Sequence, residues 1–284
     1  MNETNAYAKI NLSLEVTGRR VDGYHNVCTL IHSIDLSDSL TFSSAHGISV
    51  TSDEPTLNAE NNLVFSSAQI LKTFSQYPGG ASISLNKNIP ISSGLGGGSS
   101  DAALTLIELN KLWNLNLSTQ NLSDIAIQLG SDVPFFLTGG CSLVTGKGET
   151  LSPTASINEI WAIIISPPHK VVAKTARVYS LLNERDFTDG SNSRELATEI
   201  SNGNGTIYTL SKGINIFEKV AEEAFSGLDH QFRTLLNCGA PFVKLSGTGP
   251  SIFTLVDDWD LASHIYKKVK QQTKNGYISK LING

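Results

Sequence analysis

The chain has 284 residues, 40% of them hydrophobic, with 21 Lys and Arg against 26 Asp and Glu for a formal charge of -5. That length holds one large core or two cores of roughly 100 to 150 residues each, and two domains are expected. The acidic balance, with no basic run longer than Lys267-Lys268, speaks against a nucleic-acid partner, and no apolar stretch reaches the about 18 residues needed to span a bilayer. Met1 to Asn5 lack the positive region and apolar core of a secretory signal, so a cytoplasmic location is expected. Cys28, Cys141 and Cys238 are far apart, without CxxC spacing or a His at ligand distance, and read as reduced and buried.

Ala8, Ile10, Leu12, Leu14 and Val16 alternate with Lys9, Asn11, Ser13 and Glu15, which predicts a strand with one apolar and one polar face. Asp22-Gly23 punctuates a polar turn that ends at Tyr24-His25. Apolar runs at Val27 to Ile34 and Leu40 to Phe42 predict two further strands, with Ile48 to Val50 a short continuation. Asn62 to Phe74 has helical spacing, and Ala81 to Leu85 returns to a strand period. From Ile89 to Trp113 a glycine-rich loop runs into a helix whose buried stripe is read as Leu104, Ile107 and Leu112. A helix at Asn121 to Leu129 precedes the turn Gly130 to Pro134 and a short run at Phe135 to Leu137.

The polar stretch Pro153 to Asn158 predicts a boundary near Ser152-Pro153, dividing residues 1–152 from 153–284. The second half offers a strand at Ile160 to Ser166, a helix after Lys174, and a polar, flexible stretch from Asp186 to Gly205. A helix at Phe217 to Phe225, strands at Phe242 to Ser246 and Ser251 to Val256, and a helix at Leu261 to Lys270 complete an α+β pattern.

In the loop Gly94-Leu95-Gly96-Gly97-Gly98-Ser99-Ser100, consecutive glycines let backbone N–H groups converge, and the helix that follows adds its unpaired N–H groups. Such a loop suits a di- or triphosphate; the plainer reading is a glycine turn with Ser99 capping a helix. The P-loop lysine is absent, since Ser99 follows the last Gly, and Ser99 also takes the final Gly position of GxGxxG. HRD and DFG signatures are missing too.

Phosphoryl transfer to an alcohol needs a carboxylate for the hydroxyl proton and a cation for the developing charge. Asp132 sits among apolar neighbours and is either a turn cap or a functional carboxylate. Lys9 is either a solvated lysine on an edge strand or an active cation; paired with Asp132, it would keep that carboxylate ionised. Tyr24 and His25 either pack over their loop or receive a planar base.

Ala8 to Leu12, Gly18 to His25, Pro90 to Ala103, Gly130 to Phe136 and Leu245 to Gly249 together resemble the galactokinase, homoserine kinase, mevalonate kinase and phosphomevalonate kinase (GHMP) superfamily. Within it, GRRxDGYH with AKINL is similar to the family of 4-diphosphocytidyl-2-C-methyl-D-erythritol kinases. The resemblance implies a GHMP kinase fold, with an N-terminal ribosomal protein S5 domain 2-like domain that binds ATP and a C-terminal ferredoxin-like domain, the site lying in the cleft between them. It implies ATP with Mg2+ as phosphoryl donor, a cytidine diphosphate alcohol as substrate, and a step of non-mevalonate isoprenoid synthesis. Lys9 and Asp132 take the catalytic positions, and Asn11, Thr175, Gly247 and Gly249 the substrate side. Tyr24 and Tyr179 would sandwich the cytosine and His25 would read its edge. Pro90 and the loop from Gly94 to Ser100 would hold the phosphates, with Asn62 and Lys87 toward adenine and ribose. No protein ligand set for the metal is implied beyond Ser100, so Mg2+ is expected to arrive with ATP. Pro167 to Lys174 departs from the family pattern ahead of Tyr179, and Pro250 stands where a small residue is usual, which is expected to stiffen that loop. Another small-alcohol kinase of the superfamily and a non-catalytic nucleotide-binding module are the competing readings, and monomer and homodimer both stay open.

Overall fold

Period-two alternation gives a 17-residue strand, β1 (Glu3–Arg19), which pairs with the 21-residue β2 (His25–Ala45). In the turn between them Gly23 takes φ +84°, and Tyr24 N donates to Asp22 Oδ1 at 3.2 Å. The two strands expected at Val27 to Ile34 and Leu40 to Phe42 are one. The polar residues that interrupt the apolar pattern are paired instead of forming a turn: Asp35 accepts from Ser279 Oγ and Lys280 N, and Asp38 from Asn88 N and Ile89 N. The structure, a computed structural model, describes residues 3–57, 62–155, 157, 159–169 and 174–283. Ser156 and Asn158 in the expected boundary stretch, and Lys170 to Ala173 ahead of the second-half helix, lie outside the described residues.

By its contacts the chain forms two units. The first gathers Met1–Ala8, Leu36–Ile91 and Gly96–Gly139. Here the end of β2 pairs antiparallel with β4 (Gly80–Asn86), and β4 pairs parallel with β3 (Ser49–Ser52). Three helices accompany them: α1 (Leu63–Ser75), α2 (Gly97–Leu112) and α3 (Thr119–Leu129). α1 starts where Asn62 Oδ1 accepts from Val64 N, and α3 starts on a Ser118/Asn121 capping box. The stripe expected on α2 is too narrow. Residues 100–106 and Leu109 are all buried, while Ile107 and Leu112 are only partly so, because α1, α3 and the 3-10 run at Pro134–Leu137 all pack against α2.

The second unit comprises Lys9–Asp35, Ser92–Leu95 and Gly140–Gly284. The start of β2 pairs with β5 (Cys141–Gly146), which forms a hairpin with β6 (Thr150–Pro153); neither strand stands out in a sequence of small and polar residues. A second sheet takes β7 (Trp161–Ile165), β8 (Lys244–Leu245), β9 (Ile252–Val256) and β10 (Gly276–Lys280) in the order β10-β7-β9-β8. Its helices are α4 (Lys174–Ser180), α5 (Ser191–Ser201), α6 (Ile207–Ser211), α7 (Ala221–Ala224), α8 (Leu228–Asn237) and α9 (Trp259–Gln272). The stretch expected to be flexible from Asp186 to Gly205 therefore contains α5, whose Leu196, Ala197 and Ile200 are buried. The helix expected at Phe217 to Phe225 is a 3-10 turn at Ile216–Val220 followed by the single turn of α7. The three cysteines are free and buried, as expected. Among the described residues, no helix is long and apolar enough to cross a membrane.

Burial decides the protonation of one group on β2. His32 is fully buried, its Nδ1 2.9 Å from Ser33 O, which can only accept, so the ring proton sits on Nδ1. Burial pushes its pKa down from 6.5 to about 4. Between those two values the unfolded chain binds a proton that the folded chain refuses, so stability is lost as pH falls from 6.5 toward 4. The expected loss from this group between pH 7.5 and pH 4.5 is about 2–3 kcal/mol. Urea denaturation at the two pH values should show a shallower acid loss in His32→Leu than in the parent; equal losses would contradict the assignment.

Candidate functional site

The polar face of β1 is not solvated. Lys9 and Asn11 are each 3% exposed, which removes the reading of Lys9 as a surface lysine on an edge strand. A buried ammonium is tolerable only with hydrogen-bond partners, and Lys9 Nζ donates to Asn11 Oδ1 at 2.5 Å. Asn11 Nδ2 donates in turn to Thr29 Oγ1 at 2.8 Å, and Thr29 Oγ1 to Ser13 O at 2.6 Å. Further along the same face, Ser13 Oγ donates to Ser193 Oγ at 2.9 Å, and Glu15 Oε2 accepts from Ser193 N at 2.7 Å in the first turn of α5. The helix that sequence reasoning missed thus covers the Ser13 and Glu15 end of the polar face of the first strand.

Two glycine loops meet beside Lys9 within the second unit. Lys9 N donates to Leu95 O at 2.9 Å, and Ser246 Oγ to Gly94 O at 3.1 Å. Gly247, at φ +57°, sits where a side chain would be strained and tight: a Cβ there would lie 3.1 Å from Gly94 O and 3.2 Å from Lys9 Nζ. The Gly247-to-Gly249 loop is held from outside by residues that sequence reasoning did not single out. Asn215 Nδ2 donates to both Leu245 O and Gly247 O at 2.9 Å, and Lys174 Nζ to Gly249 O at 2.6 Å. In the sequence Asn215 signals only a cap, a role it also fills by accepting from Phe217 N at 3.0 Å. The Gly249-Pro250 peptide is cis.

An aromatic wall lies elsewhere in the same unit. The His25 ring stacks at a tilt on Tyr179, centroids 4.9 Å apart, and meets Phe187 edge-on at 5.8 Å; Tyr179 packs edge-on against Phe217 at 4.7 Å. Burial, reinforced by the Arg19 charge, lowers the His25 pKa, so the ring is neutral at neutral pH and offers one donor and one acceptor. Tyr24 is 59% exposed, with Lys147 Nζ 5.5 Å from its ring centroid. Thr175 is exposed on α4. Phe187, Phe217 and Lys147 were not found from the sequence, because nothing local ties them to His25 or Tyr24.

In the first unit, the helical run begins at Gly97, ahead of the Ser99 cap of the plainer reading, with Gly96 at φ +76° as its cap. Glycine offers no side chain of its own to cap the leading N–H groups of α2, and a helix N-terminus of this kind suits an anionic ligand. Gly98 is exposed, Ser99 half-buried and Ser100 buried, with Ser100 N donating to Gly96 O at 2.9 Å. A Cβ on Gly97 would meet Ile89 Cγ2 at 2.9 Å, so that glycine lets the first turn of α2 pack closely on the Ile89 side chain that follows β4. Pro90 lies half-buried before the loop.

Lys87 and Asn62 are occupied by their own unit. Lys87 Nζ bridges Asp38 Oδ2 and, at 2.8 Å, Asp101 Oδ2 in α2. Burial alone would lower the Lys87 pKa, but Asp101 and Asp38 raise it, so the ammonium persists. Burial raises the Asp101 pKa, with Asp38 adding to the rise against the pull of Lys87. Two carboxylates thus share one cation, and the side chain of Lys87 ties the strand end to α2. Asn62 spends both ends of its amide on the α1 cap and on Leu57 O. Asp132 is half-buried in the turn whose Val133 N donates to Gly130 O at 3.2 Å, just before the 3-10 run at Pro134–Leu137. No group of three or more His, Cys, Asp or Glu among the described residues is placed to hold a metal ion.

Residues 62–140 match the family described as GHMP kinases N terminal domain, and residues 194–275 match GHMP kinases C terminal. A 4-diphosphocytidyl-2-C-methyl-D-erythritol kinase of Dehalococcoides mccartyi is 38% identical over 274 residues, covering 96% of this chain and 95% of that protein. The crystal structure of a 4-(cytidine 5'-diphospho)-2C-methyl-D-erythritol kinase superposes with a TM-score of 0.84 at 30% identity, covering 100% of each chain. A homoserine kinase from Cytophaga hutchinsonii, at 20% identity, TM-score 0.73 and coverage of 100% of this chain and 97% of its own, shares the fold alone.

Proposed function

From the premise that the chain belongs to the 4-diphosphocytidyl-2-C-methyl-D-erythritol kinases of the GHMP superfamily, we infer that it transfers the γ-phosphoryl group of ATP to the 2-hydroxyl of 4-(cytidine 5'-diphospho)-2-C-methyl-D-erythritol. The products are the 2-phosphate and ADP, and the reaction serves isoprenoid precursor synthesis. The GHMP kinase fold expected from the motifs is the fold of this chain.

Each residue role below is our assignment. Asp132 accepts the hydroxyl proton as the 2-oxygen attacks the γ-phosphorus, and the electron pair of the broken P–O bond leaves on ADP. Lys9, buried and directed by Asn11, supplies a fixed positive charge for the charge that develops. Asn11, Thr175, Gly247 and Gly249 line the alcohol side. The leading N–H groups of α2, with Gly94 to Ser100 and Pro90, hold the phosphates; Mg2+ bound with them would be held near Ser100 and would offset their negative charge. Asn62 and Lys87 approach adenine and ribose through their backbone, since their side chains are committed to the α1 cap and to the Asp38-Asp101 pair. We place the ATP-binding and catalytic part in residues 1–152, and the location in the cytoplasm.

The single observation that carries the choice of substrate is the neutral His25 ring against Tyr179. A planar base stacks on such a wall, and an imidazole with one donor and one acceptor can read its edge, whereas an alcohol without a base has no use for either. Tyr24 supplies the outer face. The test is turnover of the cytidine diphosphate alcohol beside alcohols that lack the nucleotide.

A further inference from the structure

We infer that Thr29 is a positioning residue for Lys9, setting the polarity of the hydrogen-bond relay that holds the ammonium; the inference rests on the role proposed for Lys9 in phosphoryl transfer. The relay runs Lys9 Nζ to Asn11 Oδ1 at 2.5 Å, Asn11 Nδ2 to Thr29 Oγ1 at 2.8 Å, and Thr29 Oγ1 to Ser13 O at 2.6 Å. Lys9, Asn11 and Thr29 are all buried.

Donor and acceptor counting makes the relay directional from its far end. A backbone carbonyl only accepts, so the single proton of the Thr29 hydroxyl is spent on Ser13 O. Toward Asn11 the hydroxyl has only lone pairs to offer. The amide must therefore turn its NH2 to Thr29, which leaves Oδ1 facing Lys9. The two ends of an amide are nearly the same size, so packing alone does not choose between them. The reverse orientation would set NH2 against NH3+, donor against donor, in a buried site where such a mismatch is costly. A hydroxyl on β2 thus decides whether the Lys9 ammonium is held by an acceptor or repelled by a donor. Preorganised charge works in catalysis only when its direction is set before the reaction, and that is the contribution of Thr29.

Thr29→Val keeps the branched shape and removes the hydroxyl, Thr29→Ala also removes it with less bulk, and Thr29→Ser keeps it. With ATP and the cytidine diphosphate alcohol as substrates, kcat of the valine and alanine variants should fall about 10- to 100-fold. KM for ATP should stay within about twofold, because phosphate binding is assigned to other groups. The serine variant should retain kcat within about threefold of the parent. A valine variant with parental kcat overturns the inference, as does a serine variant that loses as much as the valine one. A loss confined to KM for ATP overturns it too, and so does unfolding of both the valine and alanine variants while serine stays folded, since the hydroxyl would then serve the fold alone. The parent enzyme separates the two levels: no turnover by the parent contradicts the proposed function and this inference with it, whereas parental turnover undiminished in Thr29→Val contradicts only the role of Thr29.

Discussion

Asp132→Ala is expected to lower kcat by about 10²–10⁴-fold, the usual range for losing a positioned general base, while leaving the dissociation constant for ATP within about twofold. The side chain sits half-buried in the turn from Gly130, ahead of the 3-10 run at Pro134–Leu137, so its removal leaves the helix N-terminus of α2 intact. The loss should appear in kcat and kcat/KM together, because proton acceptance is needed only as the hydroxyl attacks. Nucleotide binding by calorimetry, run beside steady-state kinetics, separates the outcomes. A variant with near-parental turnover would remove Asp132 from the chemistry, and a variant that loses ATP affinity in proportion to kcat would make it a structural residue of the turn.

Gly96→Val should do the reverse. Gly96 holds φ +76° at the cap of α2, and Ser100 N donates to its carbonyl at 2.9 Å. A residue with a Cβ pays about 1–2 kcal/mol in that left-handed region, and a β-branched one is a true outlier there. The loop is expected to relax away from this geometry, turning the leading N–H groups from their common point. KM for ATP should rise by at least about tenfold, with any turnover regained at saturating ATP. Unchanged ATP affinity would show that the phosphates bind elsewhere.

These two residues could be singled out in the sequence because their signals are local. A run of glycines before a helical pattern, and an acidic residue in a tight apolar turn, need no knowledge of the rest of the chain. The first strand shows where that legibility ends. Its alternation correctly assigned Lys9, Asn11, Ser13 and Glu15 to one face, but period two says nothing about whether that face meets water. Its Ser13 and Glu15 end is buried because α5 and the turn before it arrive from about 180 residues away in sequence, with Ser193 on Ser13 and Glu15 and Thr188 on Glu15. α5 itself was invisible for the complementary reason: its first residues are polar, and the start that Asp189 Oδ1 makes on Ser191 N is completed by the carboxylate of Glu15 on Ser193 N, from far away in sequence. Asn215 and Thr29 escaped notice likewise, since an asparagine ahead of a turn and a threonine in a strand are unremarkable until Gly247 O and Asn11 are seen beside them. Merging two expected strands into β2 has the same origin, because Asp35 and Asp38 look like strand breakers until their backbone partners at Lys280, Asn88 and Ile89 are in view.

The substrate is the central claim, and product analysis tests it most directly. The chain would be incubated with ATP, Mg2+ and either 4-(cytidine 5'-diphospho)-2-C-methyl-D-erythritol, mevalonate, homoserine or galactose, with ADP release and phosphorus NMR of the products followed together. The account predicts ADP release only with the cytidine compound, and a new phosphomonoester on its 2-oxygen with the diphosphate bridge intact. Comparable phosphorylation of mevalonate or homoserine, or a phosphate placed on another hydroxyl of the cytidine compound, would contradict it.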